Sequence, residues 1–583
     1  GAVAIGSSDT SSITADAGGF ALAIAASGEG LSVALGVGAS VAVNDIGVNQ
    51  LASVDSSSQI LNASGLSVTS SSHSSIDALS LIGSGAIAIS GTGAGGVAGA
   101  AAISVNTIAD TTHAEVKNSQ VLLGSGAVTV NASDSSQINA DSGGAAVAVA
   151  VGGEAAGLGV ALGAGLSVNT IGNDVSASID DSTVTSKDGV SVEAISAAGV
   201  RAYSFGIAGA VGGGGAVGGA LAGAGSGSGA TISNSTTARI QGSTVHAGGD
   251  LTVQAADSAN IDTVAGAVAL AVGVGVGGGG VSVAVGVSVA VNDIQDSTIA
   301  VVDSSTLDDA GNVKIAADSD AVINAVTVAG AASVGGGGEL GVAFAGAGAV
   351  SINNIHNTTE AHAENASFNL RAGSDFQVTA DDSSQMTANA AAVSLAVAIG
   401  VDGVGGALAA GASVAVSDIG NTTRALVDHI DAAAPAGQSL GQFEIAAHSS
   451  AMIDSLSLSA AGAVGGGFWG GVALAGAGAA SVNTIANTTE AMVQNSQIDQ
   501  ASLITVQATN DGDIQANAVG VALTVSAAVG ALSFSFGLSL SDNEMHNVTL
   551  AKVENSSLDS AGAATVDAVS SGHNDAVSVG AAI

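Results

Sequence analysis

The chain repeats itself about every 62 residues, and this period constrains its fold more than any other feature. One marker of the repeat is a polar residue followed by serines and then Ile or Met, as in DSSQI from Asp134 and DSSQM from Asp382. A second marker reads SVAVNDI from Ser40 and from Ser288, and SVNTIANTT from Ser481. Because both markers share one period, the sequence predicts one continuous array of about nine units.

The phase of the two markers places the unit boundaries. The units run roughly 1–47, 48–109, 110–172, 173–235, 236–295, 296–356, 357–420, 421–486, 487–546 and 547–583. The opening GAVAI matches GAVTV inside a later unit, so the array starts in mid-unit and also stops in mid-unit. We therefore expect residues 1–583 to be a fragment of a longer chain.

Each unit reads as several strands separated by Gly, Ser, Asn and Asp. Glycine makes up 86 of the 583 residues and aromatic residues only 2%, which favours thin, closely stacked sheets. The expected fold is all-β, a parallel, right-handed β-solenoid of about nine units. Rungs of about 20 or 30 residues would give three or two rungs per unit and a rod on the order of 90 to 130 Å long. Asp134 and its equivalents are expected in turns.

The apolar half of each unit alternates between bulky and small side chains. Alternate residues of a strand point to opposite faces, so residues 32–43 present one bulky face and one smooth face. The bulky face consists of Val33, Leu35, Val37, Val41 and Val43, and the smooth face of Ser32, Ala34, Gly36, Gly38, Ser40 and Ala42. We expect the bulky face to form the core and the smooth face to pack against another layer or a neighbouring fibre.

The other half of each unit resembles the β-helix repeats of giant bacterial filamentous haemagglutinin-like adhesins. The resemblance rests on segments such as VDSSSQILNASGLSVTS from Val54, IQGSTVHAGGDLTVQA from Ile240 and VQNSQIDQASLITVQA from Val493. It implies a parallel β-solenoid, a place on the cell surface and a role in adhesion or cell-to-cell attachment.

Composition excludes several functions. The net charge of −40 leaves no basic surface for nucleic acids. The chain has no cysteine, which removes disulfides, thiolate metal ligands and cysteine nucleophiles. A regular repeat offers no cleft unique to one unit, so we expect no enzyme, no small-molecule substrate and no cofactor other than a metal ion.

Clustered aspartates are the candidate metal ligands. Asp318 with Asp320, and Asp511 with Asp513, supply the carboxylate oxygens that Ca²⁺ prefers. The alternative is that these aspartates are solvated turn residues.

Asn-x-Ser/Thr sequences recur at one phase of the repeat. They begin at Asn234, Asn357, Asn421, Asn487 and Asn547. Such sites accept glycans on a protein surface. The alternative is a stacked ladder of Asn and Thr in or beside the rungs.

Together these features predict an extracellular structural fibre, sheath or filament segment on a prokaryotic cell surface. Its partners are other copies of the same chain, joined through stacked strands and smooth faces into fibres or bundles. The alternative is an adhesin stalk that mediates attachment between cells or to surfaces. An outer-membrane β-barrel is a lesser alternative, because the apolar hairpins could supply its strands.

Overall fold

The computed structural model describes residues 1–583 and is all-β, with no helix. The chain runs repeatedly through four kinds of strand, and we call one such passage a coil. In the coil that starts at Val128, a long strand Val128–Gly152 is followed by a return strand Ala156–Ile171. A side strand, Asp174–Asp180, and a corner strand, Thr183–Ser186, then lead to the next long strand.

The four kinds of strand recur along the whole chain. The long strands are Val3–Asp9 with Ser12–Ser27, Leu66–Ser72 with Ser75–Ser90, Val128–Gly152, Val190–Gly214, Leu251–Gly275, Val313–Gly337, Phe376–Gly400, Leu440–Gly467, Gln497–Ala527 (which includes its corner strand) and Ala564–Ala582. The return strands are Ser32–Ile46, Ala94–Ile108, Ala156–Ile171, Val217–Ile232, Gly279–Ile294, Leu340–Ile355, Val404–Ile419, Gly470–Ile485 and Ala531–Met545. The side strands are Asn49–Val54, Thr111–Lys117, Asp174–Asp180, Ser235–Gln241, Ser297–Asp303, Thr358–Glu364, Thr422–Asp428, Thr488–Gln494 and Val548–Glu554. The separate corner strands are Gln59–Ala63, Gln120–Leu123, Thr183–Ser186, Thr244–Ala247, Thr306–Ala310, Ser367–Leu370, Asp431–Ala433 and Ser557–Ser560.

Every strand pairs in parallel with its equivalent in the next coil. Val128 lies opposite Val190, and the register continues without a shift to Gly152 opposite Gly214. The return strands form one nine-stranded parallel sheet and the side strands another. Sheets of this kind need a long connection between neighbouring strands, and the rest of each coil provides it.

The prediction of two or three rungs in each unit was wrong. Residues about 62 positions apart are direct neighbours in the ladder, so one unit fills one coil. Nine strands at the usual spacing span about 40 Å, whereas a long strand of 25 residues spans about 80 Å. The stack is therefore wider than it is high. The repeat period equals the length of a coil but does not reveal how many strands share that coil.

The expected turns at the first marker were also wrong. Asp134, Asp257 and Asp382 lie inside long strands, with six residues of strand before each of them. A polar residue inside a strand is acceptable here because its side chain meets polar partners within the coil.

Three hydrophobic clusters follow one another along the length of the long strands. The first has 56 buried residues and fills the space between the side strands, the corner strands and the first part of the long strands. It contains the few aromatic core residues, including Phe376 and Phe443, whose rings stack with centroids 5.1 Å apart. The second has 26 residues and is mainly Ile and Ala. The third, between the far part of the long strands and the return strands, has 41 residues, all alanine except Ile82.

A left-handed residue ends most side strands. Asn118, Asp181, Asn365 and Asn495 have φ between 47° and 51°. Asn and Asp tolerate this conformation better than other residues with a side chain. The NS and DS motifs of the sequence therefore mark the turn between side and corner strands.

Candidate interaction surface and buried polar ladder

Two β-layers approach each other very closely in the apolar half of every coil. We call this part the fin: in one coil it comprises residues 143–152 and 156–168, and in the other coils their equivalents. We call the remainder of each coil the base. A Cβ atom added to Gly163 would overlap the carbonyl oxygen of Ile207, and one added to Gly206 would overlap that of Gly225. Apart from Ile82 and Thr524, the residues between the layers are Gly, Ala and Ser, because the backbones of the two layers are nearly in contact.

The prediction that the bulky face forms the core was therefore wrong. Val33, Leu35 and Val37 point outward and are 60–65% exposed, whereas Ser32 and Ala34 are buried. The smooth faces pack against each other inside the chain, so they are not available to a neighbouring fibre. The reason is geometric: small side chains let two sheets close on one another, and the bulky side chains are then left on the outside.

Both outer faces of the fin are continuous apolar surfaces. On the return sheet, one column runs in register through nine coils: Leu35, Val97, Val160, Leu221, Val283, Phe344, Leu408, Leu474 and Phe534. In one return strand the six outward residues from Val281 to Val291 are all valine, and Asp293 follows them. A row of Asp, Thr, Asn and Glu at this position marks the border between fin and base. The alternation is visible in the sequence, but the predicted assignment of the two faces was reversed.

A column of alternating Asp and Ser lies buried in the long strands between the base core and the fin. In register it reads Asp134, Ser196, Asp257, Ser319, Asp382, Ser449 and Asn510. Because a Ser separates successive aspartates, those carboxyls lie two strand spacings apart, about 10 Å. This arrangement reduces the repulsion between buried acids.

A second polar column faces the first one and consists mainly of asparagines that precede the side strands. The backbone N–H of Asn357 donates to Oδ1 of Asn421 at 2.8 Å, and that of Asn421 donates to Oδ1 of Asn487 at 2.9 Å. The side-chain amide of Asn421 donates in turn to Oδ1 of Asp382 at 2.6 Å. These hydrogen bonds form a ladder that links each coil to the next.

The predicted glycan acceptors belong to this ladder. Asn234, Asn357, Asn421 and Asn487 are at most 3% exposed, and Asn547 continues the column in the last coil. Their amides face the interior, where the packing leaves no space for a glycan. The asparagines therefore form a stacked ladder, which was the alternative interpretation of the Asn-x-Ser/Thr sequences.

Several carboxyls in the two polar columns have a raised pKa. Burial raises the pKa of Asp134 and of Asp382 to about 7, although hydrogen bonds from neighbouring Ser and Asn side chains act in the opposite direction. Burial also raises the pKa of Asp257 and of Asp296, which lie close together in one coil. The sequence alone did not indicate that the carboxyls of these four aspartates are buried.

The predicted metal ligands do not come together. Asp318 and Asp320 lie on one long strand and point outward, and the side-chain amide of Gln254 donates to Oδ2 of Asp318 at 2.9 Å. Asp511 and Asp513 lie on the long strand three coils further on. No group of three or more His, Cys, Asp or Glu side chains lies close enough together to hold a metal ion.

No segment of the structure forms a helix long and apolar enough to cross a bilayer. No protein-family model matches the chain, and no curated protein matches it significantly.

Proposed function

We propose that this chain is a segment of an extracellular structural fibre, sheath or filament on a prokaryotic cell surface. Its fold is a right-handed parallel β-solenoid of about nine units of about 62 residues, with one coil per unit. Connections between parallel neighbouring strands are right-handed in nearly all proteins, which supports the handedness.

The observation that carries this proposal is the unbroken backbone ladder. The structure has 477 backbone–backbone hydrogen bonds, of which 399 lie within its strands. Each inner coil is bonded along all four strands to the coil before it and to the coil after it. A force along the stack therefore loads many hydrogen bonds at once, which suits a mechanical role.

The sequence supports a place outside the cell through its resemblance to surface proteins. The chain is also strongly acidic, with a net charge of −40, which keeps an apolar repeat protein soluble. The base also carries the segments that resemble surface adhesins. This favours a second candidate, an adhesin stalk, in which the repeats hold a binding tip away from the cell.

Single-molecule pulling from the two ends tests the mechanical role. We expect successive force peaks as coils peel away one at a time. Each peak should release roughly 210 Å of chain, the extended length of about 62 residues. One release of the whole chain, or extension at constant low force, would contradict the proposal.

The location is tested separately with antibodies against the base. We expect them to label intact cells that express the protein. Labelling that requires broken cells would exclude both the fibre and the stalk.

A further inference from the structure

The two outer faces of the fin leave an unusual amount of apolar surface in contact with water. Apart from the turns at the tip and Asp542 in the last coil, the fin strands carry no Asp, Glu, Lys or Arg. Nine return strands about 40 Å high, each with an apolar stretch of about 13 residues, give a face of roughly 1,500 Å². The largest apolar patch on an ordinary monomer measures about 300–600 Å².

This area equals or exceeds what a stable protein interface needs. A standard interface buries about 800 Å² on each partner, and obligate interfaces bury more and are more apolar. The fin face is also regular, since its strands stay in register over nine coils. A regular apolar face of this size matches another face of the same kind.

The tip of the fin argues against a lipid bilayer as the occupant. Glu29, Glu154, Glu339 and Asp402 lie exposed at the tips of four coils. A fin inserted into a bilayer would carry these carboxylates into or across the hydrocarbon, which is costly. When two fins pack face to face, the tips remain at the edge of the contact and stay hydrated.

We propose that the outer faces of the fin are interfaces between copies of this chain, which pack fin against fin. The inference rests on the proposed structural role and names the lateral partner as a second copy. The net charge of −40 resides mainly in the bases, so packed copies point their bases in opposite directions, which keeps the acidic regions apart. A two-fold axis relates two such copies, and the second face of each fin can accept a further copy.

The relief of the face supports packing of like against like. Large side chains such as Leu162 and Leu166 lie against glycines of the next coil, Gly223 and Gly227. Ridges therefore alternate with troughs. One trough, with a volume of about 510 Å³, is lined by Val37, Leu162 and the glycines and alanines around them. A ridge of one copy can fill a trough of the other, as side chains do in protein interiors.

The test replaces three residues of the apolar column with lysine in one chain: Leu221→Lys, Phe344→Lys and Leu474→Lys. The matched control carries Thr129→Lys, Thr252→Lys and Thr505→Lys, at outward positions of a base column that already contains Lys314. Both variants change the net charge from −40 to −37. Molar mass is measured by sedimentation at low and high salt, with circular dichroism to verify the strands.

We expect the wild-type chain and the base control to sediment at twice 54.1 kDa or more, and the fin variant at 54.1 kDa. Association of the wild type should strengthen with salt, because salt screens the repulsion between acidic bases. A wild-type chain that stays monomeric at high salt would overturn the inference, and so would a fin variant that still associates. Flotation of the monomer with phosphatidylcholine vesicles would overturn it in favour of lipid. None of these outcomes alters the pulling result on single molecules, so the proposed function is judged independently.

Discussion

The substitution Gly212→Val should open the fin of the coil that contains it. Gly212 faces inward, and a Cβ at this position would overlap the carbonyl oxygen of Gly219 on the opposite layer. The obstacle is backbone rather than a flexible side chain, so the two layers have to separate. We expect a local loss on the order of 3 kcal/mol or more. Hydrogen exchange should then be over 100-fold faster in residues 205–229.

The adjacent glycine provides the control. Gly213 points outward, and the nearest atom to a Cβ there is a methyl carbon of Val151 at 4.0 Å. Gly213→Val has the same change in strand propensity and should leave exchange unchanged or slightly slower. If both variants behave alike, the close contact of the two layers is not present in solution.

Removing the charge of a buried aspartate should stabilise the chain above neutral pH. The carboxyl of Asp382 has a pKa of about 7 in the folded chain and an ordinary value of 3.8. Between these values the folded state holds a proton that the unfolded state has released, so stability falls as pH rises from about 4 to 7. The loss approaches roughly 4 kcal/mol above pH 7. Asp382→Asn keeps the shape of the neutral acid and avoids this loss.

We therefore expect Asp382→Asn to raise the free energy of unfolding at pH 8 and to change it little at pH 4. Asp134→Asn should act in the same direction, because the pKa of Asp134 is raised to a similar value. Urea unfolding followed by circular dichroism at both pH values measures the effect. Asp402→Asn, at an exposed tip, is the control that removes a charge without removing a buried acid. Equal gains in Asp382→Asn and Asp402→Asn at pH 8 would mean that only net charge matters.

The sequence predicted the strands of the fin and their alternation, but not which face is buried. It correctly separated Val33 and Leu35 from Ser32 and Ala34 onto opposite faces. The assumption that larger side chains form the core fails when two backbones lie so close together that no Cβ atom fits between them, as at Gly163 and Ile207. The sequence of a single strand does not specify which other layer packs against it, because that layer is distant in sequence.

Polar residues inside the strands obscured the size of the coil. Asp134 and Asp382 resemble turn residues locally, yet Asn173 and Asn421, which precede the following side strands, each donate a hydrogen bond to one oxygen of these carboxyls. Those partners lie 39 residues away in sequence. The repeat and its all-β character were therefore predictable, whereas the single coil per unit depended on pairs that only the folded chain brings together.

The most direct measurement of one coil per unit uses engineered cysteines, because the chain has none of its own. Ser191 and Thr252 are direct neighbours on adjacent long strands, so Ser191→Cys with Thr252→Cys should form a disulfide on mild oxidation. Ser191→Cys with Leu221→Cys should stay reduced, since Ser191 lies in the base and Leu221 in the fin. If the second pair forms the bridge and the first does not, each unit contains more than one rung and the fold with one coil per unit is wrong.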